Sequence, residues 1–189
     1  MSYANTAKKL TEYRAQIAEL RKKMRETRAA IEPEEVKDYA LRTAQGTTRL
    51  SDLFGAKDTL IVIHNMGAGC RYCTLWADGF NGVYDHLASR AAFVVSSPDA
   101  PEKQQAFAAS RGWRFPMVSV DGTSFAQDMG YWKNGPVPGV SVLKRAGGKI
   151  LRVADTQFSP DDDFCGVWHF WNLIPEGAAG WQPQYKYAG

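Results

Sequence analysis

The sequence predicts an α/β fold in which a central mixed sheet is flanked by helices, with an added amphipathic helix at the N-terminus. Leu60 to Ile63 is a largely β-branched run without polar alternation, which is typical of a strand buried on both faces. Ala92 to Ser96 is a second such run. Pro101 to Arg111 has Pro near its start and Gly112 just past its end, as helices do. Strands that alternate with helices in this way indicate a parallel core of the sheet.

Length and composition indicate one domain with an appendage. The chain has 189 residues, of which 44% are hydrophobic and 12% aromatic, enough to bury one sizeable core. We expect residues 1–32 to form a helical arm and residues 33–189 to form the main domain.

The arm is predicted to be one long helix with an apolar seam. Seven residues recur at alternating spacings of three and four, which is a heptad period: Leu10, Tyr13, Ile17, Leu20, Met24, Thr27 and Ile31. Lys and Arg fill the other faces, and Pro33 ends the helix. The seam fits packing on its own domain as well as pairing with a second chain. We expect a homodimer in which these helices pack on each other or on the partner's body.

Residues between the arm and the first buried strand predict small peripheral elements. Val36 to Arg42 is predicted to be an edge strand and Gln45 to Thr47 a turn. Leu50 to Gly55 is predicted to be a helical turn that glycine closes.

Beyond Gly112 the pattern predicts further strands and a closing helix. Trp113 to Val120 should be a connection with a short strand, and Phe125 to Met129 a short helix. Val140 to Leu143 and Ile150 to Ala154 predict a hairpin with glycines in its turn. Asp161 to Ile174 is predicted to be the last helix, with its first three acidic residues as the cap.

The first buried strand leads through glycines into a Cys-x-x-Cys pair, Cys70 and Cys73. After Cys73 the apolar spacing becomes helical, through Trp76, Phe80 and later residues. Cys70 should therefore lie at a helix N-terminus, with Cys73 one turn inside the helix. Free N–H groups and the helix dipole favour a thiolate there, so we expect a lowered pKa for Cys70. A dithiol redox pair is the chemistry that this placement indicates.

The order of elements resembles the thioredoxin fold. More narrowly, several motifs resemble a bacterial domain family of unknown function, whose members are usually labelled predicted dithiol-disulfide oxidoreductases. The motifs are Cys70 to Gly82, Ser97-Pro98, Gly112-Trp113-x-Phe115-Pro116, Pro138 to Val142, and Leu173-x-Pro175-x-Gly177. The similarity runs from about Leu10 to Gly177, and it implies a thioredoxin-like fold with a thiol-disulfide oxidoreductase activity of unspecified substrate.

The resemblance also implies roles for the two cysteines and their neighbours. Cys70 would attack a disulfide as thiolate and Cys73 would resolve the mixed disulfide. Arg71 and Tyr72 fill the intervening pair, as in the Cys-Pro-Tyr-Cys of glutaredoxins but with Arg in place of Pro. A cation beside Cys70 should stabilise its thiolate further. Trp76 follows within the same motif.

Two more positions correspond to functional positions of thioredoxins. His64, six residues before Cys70, stands where thioredoxin has a buried Asp that assists proton transfer at the second cysteine. The alternative for His64 is a histidine paired with a backbone group. Val137-Pro138 stands where thioredoxins have a cis-proline that faces the cysteines, although an ordinary trans turn proline is the default for any X–Pro bond.

Three other functions of the cysteines can be compared with this one, and two of them remain alternatives. Peroxiredoxins use a Pro-x-x-x-Thr/Ser-x-x-Cys site, whose hydroxyl and proline would fall on Gly67 and Ile63, so that chemistry is not expected. Cys70, Cys73, Cys165 and His169 offer the donors of a structural zinc site. A thioredoxin-like binding module without turnover is the third alternative.

Charge and hydropathy limit the partners. The net charge is +3, and residues 1 to 31 contain eight Lys or Arg against three Glu, so the remaining chain is slightly acidic and no general nucleic-acid footprint is expected. No stretch has the roughly 18 apolar residues of a membrane span. We expect a cytoplasmic protein without a cofactor, whose substrate is a protein or small-molecule disulfide or thiol.

Overall fold

A computed structural model describes residues 2–187 of the chain. The chain divides at Pro33 into two compact units. The first unit contains helix α1, Tyr3–Ala29, whose N-terminus is capped where the Ser2 hydroxyl accepts the Asn5 N–H at 3.3 Å. None of the described residues of α1 is buried, and its seam side chains, such as Leu10 and Leu20, are 46 to 58% exposed.

The second unit is built on an eight-stranded mixed sheet in the order β1-β8-β7-β4-β5-β6-β2-β3. The strands β4, β5 and β6 run parallel, and their other neighbours pair antiparallel. The strands are β1 Glu34–Val36, β2 Ala40–Thr43, β3 Gly46–Arg49, β4 Thr59–His64, β5 Ala92–Ser97, β6 Met117–Ser119, β7 Gly139–Ala146 and β8 Lys149–Gln157. The predicted mixed sheet flanked by helices is confirmed.

The helices of this unit connect the strands. They are α2 Arg71–Gly82, α3 Tyr84–Arg90, α4 Pro101–Arg111, α5 Phe125–Asp128 and α6 Gly166–Trp171, with a 3-10 turn at Asp52–Phe54 that Gly55 closes. The apolar spacing after Cys73 spans α2 and α3, which a break at Val83 separates. Gly112 ends α4 in the left-handed conformation, as its sequence position predicts.

Strand β4 lies at the centre of the sheet, between β7 and β5, and is buried on both faces. Leu60 and Val62 belong to one apolar cluster, with Phe54, while Ile63 belongs to another, with Trp76. Because alternate residues of a strand point to opposite faces, this division confirms that helices or loops cover both sides. The end of β4 is therefore a fixed point from which the next loop and α2 begin.

The prediction of one edge strand over Val36 to Arg42 is wrong. β1 pairs with β8 at one edge of the sheet, whereas β2 pairs with β3 and β6 near the other edge. Hydrogen bonds fix the segment that connects β1 to β2, because the Asp38 carboxylate in it accepts from the N–H and the hydroxyl of Ser51, both at 2.9 Å. Such a split is not visible in a short apolar pattern.

The predicted closing helix is also shorter than expected, since α6 covers only Gly166–Trp171. Asp161 has a positive φ of 72°, which ends regular structure. The Asp162 carboxylate accepts the N–H groups of Ser159 and Phe164 at 3.2 and 2.9 Å. These residues therefore form a turn ahead of Cys165, and they do not cap the helix.

Within residues 2–187, no helix combines the length and apolar character that crossing a membrane requires. This holds for α1 as well, because charged residues fill the faces of this helix outside its apolar seam.

We expect the exposed seam of α1 to mediate self-association. Replacing Ile17 and Leu20 by Asp should shift the protein from dimer to monomer in light scattering, because charge would enter the apolar contact, whether that contact is a second helix or the partner's body. The matched control is Ala15→Asp, on the opposite face of the same helix, which should leave the mass unchanged. A wild-type protein that is already a monomer at every concentration would contradict the expectation.

Candidate functional site

The two cysteines lie where strand β4 passes through a short loop into α2. Cys70 is the N-cap residue of α2, with extended backbone angles, and its Sγ accepts the N–H of Cys73 at 3.1 Å. The carbonyl of Cys70 accepts the N–H and the hydroxyl of Thr74, both at 3.0 Å. The sulfur of Cys70 therefore takes the place of a capping oxygen, which is the position that sequence spacing predicts.

The environments of the two thiols shift their pKa values in opposite directions. The pKa of Cys70, which is half-buried, is lowered to about 7 by a hydrogen bond from the Cys73 thiol, and the backbone N–H groups of Cys73 and Tyr72 add to this against some burial. Cys73 is only 2% exposed. Its bond to Cys70, followed by burial, raises its pKa well above the ordinary value. The pair thus combines an acidic, reachable thiol with a buried one that stays protonated.

Residues that the sequence did not single out shape the loop between β4 and Cys70. The Oδ1 atom of Asn65 accepts the Gly67 N–H at 2.7 Å, and its Nδ2 lies 3.5 Å from the Cys73 carbonyl oxygen. The Met66 N–H points to the Cys73 Sγ at 3.5 Å. Asn65 follows β4 directly, and the carboxyl ends of parallel strands are where functional side chains gather, so its position was a usable signal.

Two distant side chains hold the next residue of the loop. The Asp99 carboxylate, which follows β5, accepts the Ala68 N–H at 2.6 Å. The Tyr185 hydroxyl donates to the Ala68 carbonyl at 2.9 Å. Asp99 also follows a parallel strand, but Tyr185 lies in a segment without periodicity and gave no sequence signal.

The backbone at Gly67 has a conformation that residues with side chains rarely adopt. Its φ is +101°, and a Cβ there would lie 2.7 Å from the Asp99 Oδ2. Gly67 occupies the position at which a peroxiredoxin site carries its hydroxyl. In this chain the Asp99 carboxylate fills that space.

Arg71 does not act on Cys70 as expected. It is exposed, and its Nη2 donates to the Gln182 Oε1 at 3.3 Å. The lowered pKa of Cys70 is accounted for by the Cys73 thiol and backbone N–H groups, in which Arg71 has no part.

Tyr72 and Trp76 belong to the aromatic packing around α2. The Tyr72 ring stacks on Trp168 with centroids 6.2 Å apart. Trp76 is 2% exposed, its Nε1 donates to the Asp162 Oδ1 at 3.2 Å, and its ring packs against Phe158. Both side chains support the helix that carries the cysteines.

His64 lies in a buried polar group of its own. Its Nε2 is 3.0 Å from the Ser141 hydroxyl, and its ring stacks on Tyr131 at 3.8 Å. Burial, followed by the charge of Arg152, lowers the pKa of His64 to about 3. The imidazole is therefore neutral and a weak base near pH 7, which does not suit the predicted proton transfer at Cys73. The partner of His64 is the Ser141 side chain, so His64 fits neither the predicted proton transfer nor the predicted pairing with a backbone group.

The Val137-Pro138 segment is an ordinary trans loop, since no peptide bond within residues 2–187 is cis. The Val137 N–H donates to the Tyr131 carbonyl and the Pro138 carbonyl accepts from the Phe158 N–H, both at 2.9 Å. These bonds join the loop to Tyr131 and to Phe158, the residue that follows β8.

The structure does not bring together the four donors of the zinc alternative, since no three Cys, His, Asp or Glu side chains of the described residues gather as metal ligands would. Cys165 is buried among aromatic residues, and burial raises its pKa. His169 is exposed and lies 3.7 Å from Asp163. All three cysteines are free thiols.

Comparison with solved structures shows the same fold at low identity. A peroxidoxin, BcpB, from Mycobacterium tuberculosis is 23% identical with a TM-score of 0.58, covering 71% of this chain and 88% of that one. Reduced Prx3 from Vibrio vulnificus is 12% identical with a TM-score of 0.58, covering 70% and 89%. A hypothetical protein from Sinorhizobium meliloti is 15% identical with a TM-score of 0.52, covering 83% and 90%. These likenesses confirm the thioredoxin-like fold.

Sequence comparison gives a family without an activity. The model of a family described as "Bacterial protein of unknown function (DUF899)" matches residues 3–187. A search of curated proteins found no significant match.

We expect Cys70 to be the faster and more acidic thiol. Its alkylation rate should titrate with an apparent pKa of about 7, below the ~8.5 of free cysteine. Because the Cys73 thiol donates to Cys70, Cys73→Ala should raise this value more than Cys73→Ser, which keeps a donor. Mass spectrometry of alkylated peptides distinguishes the sites, and faster alkylation of Cys73 would show that the assignment is reversed.

We also expect His64 to make stability depend on pH. The pKa of His64 falls from about 6.5 in the unfolded chain to about 3 in the fold, so the unfolded state binds one more proton between these values. Stability should rise with pH across that window, by up to about 1.4 kcal/mol per unit. Urea titrations at several pH values give the free energy of unfolding at each pH. Its increase with pH should be smaller in His64→Gln than in the wild type. The control His86→Gln, at an exposed position, should keep the wild-type increase. Equal slopes in all three proteins would rule out this origin.

Proposed function

The chain belongs to this bacterial family of unknown function, and from its two unlike thiols we propose that it is a thiol-disulfide oxidoreductase. Cys70 is the attacking thiolate and Cys73 the resolving thiol. The observation that carries the proposal is the asymmetry of the pair: the pKa of Cys70 is lowered to about 7, while that of the buried Cys73 is raised. A thiolate is most effective as a nucleophile when its pKa lies near the ambient pH.

The exchange proceeds in two steps. The Cys70 thiolate attacks one sulfur of a substrate disulfide, a Cys70–substrate bond forms, and the second substrate sulfur leaves as thiolate and takes up a proton. Cys73 then loses its proton and attacks the Cys70 sulfur, and the first substrate sulfur leaves in the same way. The substrate gains two electrons and becomes two thiols, while Cys70 and Cys73 become a disulfide that a thiol reductant must reduce again.

The raised pKa of Cys73 is consistent with its later role. The largest cause of the raised pKa is the hydrogen bond between the Cys73 thiol and the Cys70 sulfur. This hydrogen bond changes once the Cys70 sulfur is joined to substrate. Cys73 is then easier to deprotonate, and the Met66 N–H remains as a donor to its sulfur. The resolving step is thus restrained until the mixed disulfide exists.

Peroxidase chemistry of the peroxiredoxin kind is not proposed, despite the shared fold. Gly67 and Ile63 stand where that site needs a hydroxyl and a proline, and the positive φ of Gly67 disfavours any side chain there. We propose that the compartment is the reducing cytoplasm, because three cysteines are too few and too unevenly spaced for a disulfide framework. The substrate is a protein or small-molecule disulfide or thiol.

Three single variants test the proposal together, using reduction of insulin or a small disulfide. Cys73→Ser should trap a mixed disulfide through Cys70, because the attacking thiolate remains while the resolving thiol is lost. Cys70→Ser should trap nothing by this route and should lower turnover to background. Cys165→Ser should retain nearly all turnover, because Cys165 is a buried residue of the aromatic cluster and is not one of the two exchanging thiols.

The controls separate the proposal from the remaining alternative. Each variant should show wild-type far-UV circular dichroism, so that lost turnover is not lost fold. A wild-type protein that binds disulfide substrates without reducing or oxidising them would be a thioredoxin-like binding module, and the proposal would fail. Equal turnover in all three variants would have the same consequence.

A further inference from the structure

The C-terminal segment Trp181–Tyr185 contacts the residues on both sides of Cys70. The Tyr185 hydroxyl donates to the carbonyl of Ala68, two residues before Cys70, at 2.9 Å. The Gln182 Oε1 accepts from the guanidinium of Arg71, the residue after Cys70, at 3.3 Å. Residues more than a hundred positions away in sequence thus reach the loop that presents the nucleophile.

Contacts with α4 fix the position of this segment. The Nη1 atom of Arg111 donates to the Tyr185 carbonyl at 2.7 Å, and the same guanidinium pairs with Asp78 of α2. The Tyr185 ring packs edge-on against Phe107 with centroids 6.1 Å apart. The hydroxyl of Tyr185 is therefore directed at the loop by groups that do not belong to the loop.

The loop needs such support because glycines flank Ala68. Gly67 and Gly69 lie on either side of Ala68, and glycine restricts the backbone less than any other residue. The two polar groups of Ala68 are bound from opposite sides, the N–H by Asp99 and the carbonyl by Tyr185. Releasing either group would let the chain before Cys70 move.

We infer that Tyr185 is a positioning residue for Cys70. By holding the Ala68 carbonyl, its hydroxyl keeps the Cys70 sulfur where it accepts the Cys73 N–H. The inference rests on the proposed function, in which this sulfur is the nucleophile. Tyr185 acts through Ala68 and does not itself react.

Burial, with the charge of the nearby thiols, raises the pKa of Tyr185, so the phenol remains a donor at neutral pH. The other charged groups nearby are Arg71 and two ion pairs, Asp99 with Lys103 and Arg111 with Asp78. Tyr185→Phe changes none of these charges. A shift in the pKa of Cys70 in that variant would therefore report the position of the loop.

The test measures Cys70 alkylation against pH in the reduced full-length protein. Tyr185→Phe removes only the hydroxyl and keeps the ring on Phe107. We expect the Cys70 profile to move up by roughly half a pH unit or more, which slows alkylation at pH 6 about threefold. The matched control is Tyr187→Phe, which removes a tail hydroxyl that accepts the Gln184 N–H and should leave the profile unchanged.

Hydrogen exchange provides a second measurement. The Cys73 amide should exchange faster in Tyr185→Phe, because its acceptor is held less firmly. A variant with a lower melting temperature but unchanged Cys70 profile and Cys73 exchange would overturn the inference and leave Tyr185 with a structural role only. Neither measurement uses a substrate, so a protein without disulfide turnover would refute the proposed function while the positioning role was still decided.

Discussion

The hydrogen bond from the Cys73 N–H to the Cys70 sulfur is the contact on which the site depends. It requires Cys70 to be the N-cap of α2, and Cys70 reaches that position after β4 ends at His64 and a five-residue loop follows. β4 in turn is fixed at the centre of the sheet by pairing on both sides and by apolar packing on both faces. The packed core thus places the Cys70 sulfur at the N-terminus of α2, where backbone N–H groups have no partner within the helix.

Sequence reasoning succeeded where local pattern determines structure. The β-branched run before the glycines and the helical spacing after Cys73 placed both thiols, because strand, cap and helix periodicities are all short-range signals. His64 and Arg71 were less predictable, because their chemistry depends on groups distant in the chain. Ser141 and Tyr131 enclose His64, while Gln182 engages Arg71.

The difference between short-range patterns and long-range contacts also explains where the fold departs from its prediction. Asp161 to Asp163 precede an apolar run, as capping residues do. The Asp162 carboxylate, however, accepts backbone N–H groups on either side of itself and the Trp76 indole N–H, and these bonds hold a turn. Asx-type local bonding competes with helix capping, and only the surrounding packing decides between them. Val36 to Arg42 likewise read as one strand, because a few alternating residues do not reveal which partner each half will pair with.

The likeness to peroxiredoxin structures shows how little of a thiol site the fold itself determines. The shared fold does not carry the Pro-x-x-x-Thr/Ser-x-x-Cys pattern with it, because Gly67 and Ile63 stand at its hydroxyl and proline positions. The Gly67 backbone has a φ of +101°, and the Asp99 carboxylate lies beside it. Chemistry on a common fold is thus set by a few atoms around the sulfur.

The contact between Tyr185 and Ala68 also sets an order of events during synthesis. A ribosome delivers residue 70 long before residue 185, so the strand and helix that carry Cys70 can form while the last segment is still unmade. The Ala68 carbonyl gains its bond to Tyr185 only after residue 185 has been made and has folded back onto the loop. Until then, Asp99 alone of these two side chains can hold the loop before Cys70.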